Sequence, residues 1–222
     1  DTPLPKGTFV GMPLRTQITD LADSSDADRA GRCARARADL GLDTDRPTLL
    51  VSGGSQGAVA INDAVVAARD TLLADGVQIL HVVGPKNIKG NTKIVDETTG
   101  AAWLPVGYVD DMASAYAAAD LMVARSGAGT VVETATVGLP TIYVPLPHGN
   151  GEQARNATSA VDAGAGVVVT NAELDAQRLL AETARIHDAD ALARMSAAGR
   201  GLMPAHAAEE MAARVISATN SK

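Results

Sequence analysis

Asp120-Leu-Met-Val-Ala-Arg-Ser-Gly-Ala-Gly-Thr-Val-Val-Glu133 is the stretch that decides the fold. Asp120 to Ala124 is a short apolar run, Ser126-Gly-Ala-Gly129 is a glycine turn, and Thr130 to Val137 carries helical apolar spacing. The segment therefore reads as strand, turn and helix. An earlier segment reads the same way: Thr48-Leu-Leu-Val51 is an apolar run, Gly53-Gly-Ser-Gln-Gly57 breaks it, and Ala58 to Leu73 is helical, with Gly76 closing the helix. The unit has repeated.

Working outward, Val77 to Val83 and Trp103 to Tyr108 read as strands, and Asp111 to Ala119 as a helix. Beyond Gly138-Leu-Pro140 come a strand at Thr141 to Val144, a helix at Gly151 to Ala163, and a last strand at Val167 to Val169. Ala- and Arg-rich helices follow. Upstream, Asp26 to Leu40 is a charged helical stretch and Gly11 to Arg15 a turn, while residues 86 to 97 carry no clear pattern. Strands alternating with helices at this spacing predict an α/β fold, a Rossmann-like doubly wound parallel sheet with right-handed crossovers. Ligands of such sheets sit at the carboxyl ends of the strands, where both glycine turns lie.

Composition narrows the function. Of 222 residues, 46% are apolar, enough to bury a sizeable core in one domain. Phe9, Trp103, Tyr108, Tyr116 and Tyr143 are the only aromatics, too few for base stacking along a single strand. A net charge of −7 argues against nucleic acid and anionic membrane as nonspecific partners, so an anionic ligand has to be held locally. Cys33 stands alone, and no His or Cys spacing suggests a metal site. No apolar run approaches the roughly 20 residues that span a bilayer. Asp1 to Gly7 reads as a linker entered from an earlier domain; residues 1–14 are expected to be interdomain linker and residues 15–222 the ligand-binding domain. A chain opening without Met is expected to be part of a longer protein.

Glycines at a strand-to-helix turn let backbone amides approach a phosphate, and the helix end adds partial positive charge. Gly53, Gly54, Ser55, Gln56 and Gly57 form one candidate phosphate loop, and Ser126, Gly127, Ala128, Gly129 and Thr130 the other. Neither matches a familiar nucleotide fingerprint: the first lacks a P-loop Lys, and Val132 stands where a dinucleotide motif has its third Gly. Glu133 has two readings. It could close a capping box with Thr130, or its carboxylate could accept both hydroxyls of a ribose whose diphosphate lies on the same turn. Gln153 and Asn156, three apart, share a helix face and suit sugar hydroxyls as donors and acceptors. Arg15 can bridge a diphosphate. No Ser-His-Asp or paired-carboxylate logic emerges, so hydrolysis by nucleophilic catalysis is unsupported.

In order and spacing, five segments together resemble the MurG family of N-acetylglucosaminyltransferases, specifically its C-terminal domain. They are Gly53 to Gly57; Tyr108-Val-Asp-Asp-Met112 with Ala115-Tyr-Ala-Ala-Ala-Asp120; Arg125 to Thr130 with Glu133; Gly138-Leu-Pro140; and Pro145-Leu-Pro-His148 with Gln153 and Asn156. The resemblance covers nearly the whole chain. It implies the C-terminal half of a GT-B glycosyltransferase that binds UDP-N-acetylglucosamine as substrate, with no cofactor and no obligatory metal. Val109 would meet uracil, Ala128 to Glu133 the diphosphate and ribose, Ser55 and Arg15 the diphosphate, and Gln153 with Asn156 the N-acetylglucosamine. The general base and the lipid I site would belong to an N-terminal acceptor domain outside this chain, at the cytoplasmic side of the membrane. Met12, Val59 and Gly129 depart from the family pattern, and Gly129 is expected to loosen the diphosphate turn. The Ala-rich composition resembles actinobacterial members. Rival readings are a nucleotide-sugar subunit of another GT-B transferase, a UDP-sugar epimerase, or a nonenzymatic nucleotide-binding module.

Overall fold

The computed structural model describes residues 7–54, 57–148 and 150–220. Helices α1 (Thr16–Ala22) and α2 (Asp26–Asp39) precede strand β1 (Thr48–Ser52), and α3 (Val59–Ala74) leads to β2 (Gln78–Val82). A short β3 (Ile94–Val95) and β4 (Ala102–Val106) are followed by α4 (Met112–Ala118) and β5 (Leu121–Ala124). Then come α5 (Ala128–Val137), β6 (Thr141–Tyr143), α6 (Glu152–Asp162) and β7 (Gly166–Val168). Helix α7 (Ala176–Thr183), a 3₁₀ turn (Ala184–His187), α8 (Ala189–Gly199) and α9 (Ala207–Asn220) complete the chain.

The seven strands form one sheet in the order β3-β4-β2-β1-β5-β6-β7. Every pairing is parallel except β3 with β4. Without the antiparallel edge strand, the parallel strands run third, second, first, fourth, fifth, sixth in chain order, the dinucleotide-fold arrangement whose direction reverses between β1 and β5. The expected doubly wound sheet is therefore observed.

Alternation along the strands builds the two faces. Leu49, Val51, Ile79, Leu121, Val123 and Ile142 pack beneath α3 and α7, against Ile61, Val65, Leu72 and Leu179. Leu50, Leu80, Met122 and Ala124 face the other way, against Ile18, Leu21, Tyr116 and Val137 from α1, α4 and α5. With helices on both sides, the central strands are apolar throughout, as parallel strands must be. Because α3 and α5 leave the sheet on opposite faces, the two glycine turns flank an open crevice.

Differences from the sequence reading are local. Helix α5 starts at Ala128, two residues before the expected Thr130, with Gly127 as its cap and Gly129 inside its first turn. Strand β4 stops at Val106, short of Tyr108. The short α1 and β3 had no readable pattern. Beyond Gly7, the expected linker ends in a docked residue: Leu14 packs against the α1–α4–α5 core.

One buried polar group is held neutral by burial, with its tautomer set by its neighbours. His81, wholly buried on β2, accepts a hydrogen bond at Nδ1 from Trp103 Nε1 (3.3 Å), which can only donate. Its Nε2 therefore carries the proton and donates to Asn62 Oδ1 at 3.1 Å. Burial pushes the His81 pKa down to about 4 from 6.5. A base whose folded pKa lies below its unfolded value stabilises the fold fully above the unfolded pKa. That contribution is lost as pH falls from 6.5 toward 4. We expect His81 to remove about 2 kcal/mol of stability between pH 7 and pH 5. Denaturant unfolding of wild type and His81→Gln at both pH values checks this: the variant, whatever its starting stability, should lose less on acidification, and equal losses would refute it.

Candidate functional site

The crevice contains a pocket of about 170 Å³ lined from the ends of β1 and β2, the segment after β4, strand β5 and helices α4 and α5. Ser52 and Gly54 come from the end of β1, Tyr108 and Val109 from the segment after β4, Met112 and Tyr116 from α4, and Thr130 and Glu133 from α5. Sequence elements up to 81 residues apart, from Ser52 to Glu133, thus meet at one place.

The first glycine turn is shaped by close approach. A Cβ on Gly53 would lie 2.3 Å from the Ala58 nitrogen, and Gly57, at φ +77°, would place one 2.3 Å from the Val83 carbonyl. Gly54 has φ +86°. Its amide faces Ser52 Oγ at 3.4 Å, and its carbonyl accepts from Gly57 N at 2.9 Å. Ser55 and Gln56, expected at the diphosphate, lie outside the described residues.

The second turn opens α5. Gly127 offers no side chain to cap the helix, so the first-turn amides of Ala128, Gly129 and Thr130 keep their donors for something else. Asn156 Nδ2 donates to the Ser126 carbonyl at 3.1 Å and fixes the approach to this turn. Val131 is buried against Tyr143 and Ala157, so only its backbone can meet a ligand, while Val132 is half-buried. Gly129 has open space where a Cβ would go.

The capping-box reading of Thr130 and Glu133 is corrected by this geometry. With the cap at Gly127, Thr130 is the third helical residue and Glu133 lies in the second turn, out of reach of the helix-start amides. Instead Glu133 Oε2 accepts from the Tyr116 hydroxyl at 2.7 Å, and Oε1 lies 3.6 Å from Arg15 Nη2. The Glu133 side chain is 16% exposed and the Arg15 side chain 57%. Burial, and then the Glu133 charge, push the Tyr116 phenol well above its usual range, so it stays a donor. Val109 is half-buried on the opposite wall.

Gln153 and Asn156 both stand half-buried on α6, but each spends one end of its amide inside the chain. Gln153 Oε1 accepts from Leu146 N at 3.0 Å, pinning the loop after β6, and Asn156 donates to Ser126. Neither lines the pocket beside Glu133. Gln153 Nε2 and Asn156 Oδ1 are the groups left for a ligand. Arg125, which carried no role in the sequence reading, donates to the Val144 and Pro145 carbonyls, both at 3.0 Å, and to Asn171 Oδ1 at 2.9 Å. Its position just before Ser126 was the only available signal. Tyr116 was likewise visible only as part of a motif. Among the described residues, no group of three His, Cys, Asp or Glu side chains is placed to hold a metal ion.

Residues 48–214 match the family described as Glycosyltransferase family 28 C-terminal domain. The chain is 86% identical over 221 residues to a UDP-N-acetylglucosamine–N-acetylmuramyl-(pentapeptide) pyrophosphoryl-undecaprenol N-acetylglucosamine transferase of Cutibacterium acnes, covering 100% of the chain and 59% of that protein. It is 48% identical to the protein of the same name from Nocardioides sp., over 97% of the chain and 58% of that relative. The chain thus spans under two thirds of the length of these relatives. Among solved structures it is similar to MurG of Acinetobacter baumannii, with a TM-score of 0.62 and 28% identity over 74% of this chain and 48% of that one. The sheet is accordingly that of one half of a GT-B glycosyltransferase.

The two glycine turns should respond oppositely to a methyl group. Gly129→Ala enters open space in a helix and is expected to stabilise by about 0.5–1 kcal/mol. Gly53→Ala meets backbone atoms and should destabilise by about 1–3 kcal/mol, the range of an overpacked site. Urea denaturation of the two variants checks both signs.

Proposed function

The chain belongs to the glycosyltransferase family 28 C-terminal domain family, and from that premise we propose that it binds UDP-N-acetylglucosamine as the donor half of an inverting transferase. The full-length enzyme would transfer N-acetylglucosamine to lipid I and form lipid II in peptidoglycan synthesis. The observation that carries this reading is Glu133, held by Tyr116 beside the uncapped start of α5. A carboxylate for a ribose diol and free amides for a diphosphate stand within one helical turn and a half of each other. Residues 15–222 would form the donor domain, and residues 1–14 the link to an acceptor domain.

In this reading uracil meets the backbone at Val109, the diphosphate lies on Ala128 to Thr130, and the ribose hydroxyls donate to Glu133. Arg15 is near enough to Glu133 to reach the diphosphate by a change of rotamer. Gly53, Gly54 and Gly57 would bring the first glycine turn to the other side, and Ser55 stays a proposed diphosphate contact on the resemblance alone. Gln153 and Asn156 extend the site toward the sugar, where Gln153 Nε2 donates to a hydroxyl because its Oε1 is committed to Leu146.

When the acceptor hydroxyl attacks C1, negative charge grows on the departing diphosphate. The α5 amides and Arg15 face that charge, and preorganised donors of this kind contribute a few kcal/mol each, roughly 3 where one has been removed and measured. No cofactor or metal takes part in the proposed reaction, in which UDP-N-acetylglucosamine is a substrate. The general base and lipid I contacts belong to the acceptor domain, so the chain alone lacks proximity and proton transfer together. No helix among the described residues is long and apolar enough to cross a membrane. The full-length enzyme would work as a peripheral protein on the inner face of the membrane, reaching the lipid through that second domain.

Titration calorimetry with UDP, UDP-N-acetylglucosamine and NAD tests the reading. UDP should bind and NAD should not, and Glu133→Ala should weaken UDP by about 1.5–3 kcal/mol, the loss of a charge-assisted hydrogen bond. Tight NAD binding without UDP binding would overturn it. A second outcome concerns the sugar: UDP-N-acetylglucosamine should outbind UDP-N-acetylgalactosamine, and Gln153→Ala should erase most of that preference. Competition binding that finds the preference intact in the variant would move sugar selection elsewhere.

A further inference from the structure

Tyr116 is 4% exposed, its ring packed among Leu50, Leu80, Met122 and Val137 at the centre of one face of the sheet. That packing makes no use of a hydroxyl. A buried phenol O–H costs free energy unless it is paired, and Phe would fill the same space with no such demand. The hydroxyl is instead aimed out of the core into the candidate pocket, where it donates to Glu133 Oε2 at 2.7 Å.

The consequence lies in the geometry of the carboxylate. The terminal torsion of a Glu side chain is broad, so an unrestrained carboxylate samples many planes. A vicinal diol can donate to both oxygens only when one plane faces it. Arg15 touches Oε1 at 3.6 Å from an exposed position, too long and too solvated to fix that plane. The short bond from a buried ring does fix it. An ionised carboxylate accepts about four hydrogen bonds, so Tyr116 takes one lone pair and leaves Oε1 and the rest of Oε2 for two hydroxyls.

We propose that Tyr116 is a positioning residue that orients Glu133 toward a ribose diol, making the pocket selective for ribonucleoside over 2′-deoxyribonucleoside diphosphates. This rests on the reading of the pocket as the donor site. Tyr116 touches no ligand itself and acts through Glu133 alone. The 2′-hydroxyl is the group at stake, because a deoxyribose offers the carboxylate one donor in place of two.

The experiment measures the affinities of UDP and 2′-deoxy-UDP for the wild type, Tyr116→Phe, Glu133→Ala and the double variant, with the melting temperature of each. The wild type should prefer UDP. Tyr116→Phe should weaken UDP by roughly threefold to tenfold, the range of one lost hydrogen bond, with a smaller loss for 2′-deoxy-UDP, so that the preference narrows. Glu133→Ala should bring the preference close to unity, and adding Tyr116→Phe to it should change the ratio no further, the mark of a residue acting through another. Equal weakening of both ligands by Tyr116→Phe, or an unchanged ratio, overturns the proposal and leaves Tyr116 a packing residue. A further change of ratio in the Glu133→Ala background also overturns it. If the wild type binds neither nucleotide, the donor-site reading fails first and this inference with it.

Discussion

Everything at the ligand end of the sheet depends on a carboxylate at the opposite end. Asp120, just before β5, accepts from the backbone nitrogen of Thr48 at the start of β1 and from Arg37 Nη2, both at 2.7 Å. The two strands on either side of the point where strand order reverses are thereby tied at their first residues. Strands of five and four residues then deliver both glycine turns to the same height above the sheet. Arg37 is 6% exposed and also donates to the Ala118 and Thr44 carbonyls, so the same link brings in α2 and the end of α4. Removing Asp120 is the costly change, because the Arg37 side chain is 7% exposed and would lose its partner without regaining water, whereas the Asp120 side chain is 34% exposed. The value of the pair here is positional: a slip of one residue would exchange side chains between the two packed faces of the sheet and carry the turns apart.

At the ligand end, polar side chains are mostly used to hold backbone. Asn156 fixes Ser126, Gln153 fixes Leu146, and Arg125 gathers Val144, Pro145 and Asn171. Tyr116 does the same for the Glu133 carboxylate. Few groups of the site therefore need to reorganise when a ligand arrives, and preorganised dipoles act more strongly than ones that must first turn. Among the described residues no side chain caps α5, so the amides of Ala128, Gly129 and Thr130 stay without acceptors there and leave a partial positive charge at its start. An acidic chain, at net charge −7, can in this way offer local positive charge to the anionic donor proposed for it. Binding needs no basic surface when a helix end supplies local charge.

The sequence by itself determined the order and kind of the main elements and singled out the candidate site. Hydrophobic period separated β1, β2, β5 and β6 from α3, α4, α5 and α6, since a strand buried on both faces is apolar throughout and a helix beside it is apolar on one stripe. Both glycine turns marked carboxyl ends of strands, but only the first needs residues lacking Cβ for the close approach seen at Gly53 and Gly57, since Gly127 and Gly129 have open space. Gln153 and Asn156 were legible as amides sharing a face, and Glu133 as a carboxylate beside a glycine turn. Tertiary structure alone decided what those groups touch. Thr130 and Glu133 satisfy the spacing of a capping box, yet the helix starts at Ala128 with Gly127 as its cap, two residues before Thr130. Tyr116 and Glu133 are 17 positions apart, and Asn156 and Ser126 are 30 apart. Spacing along a chain reports neighbours on one helix or strand; contacts between elements follow from how the sheet closes, and that is fixed by burial of the whole core at once.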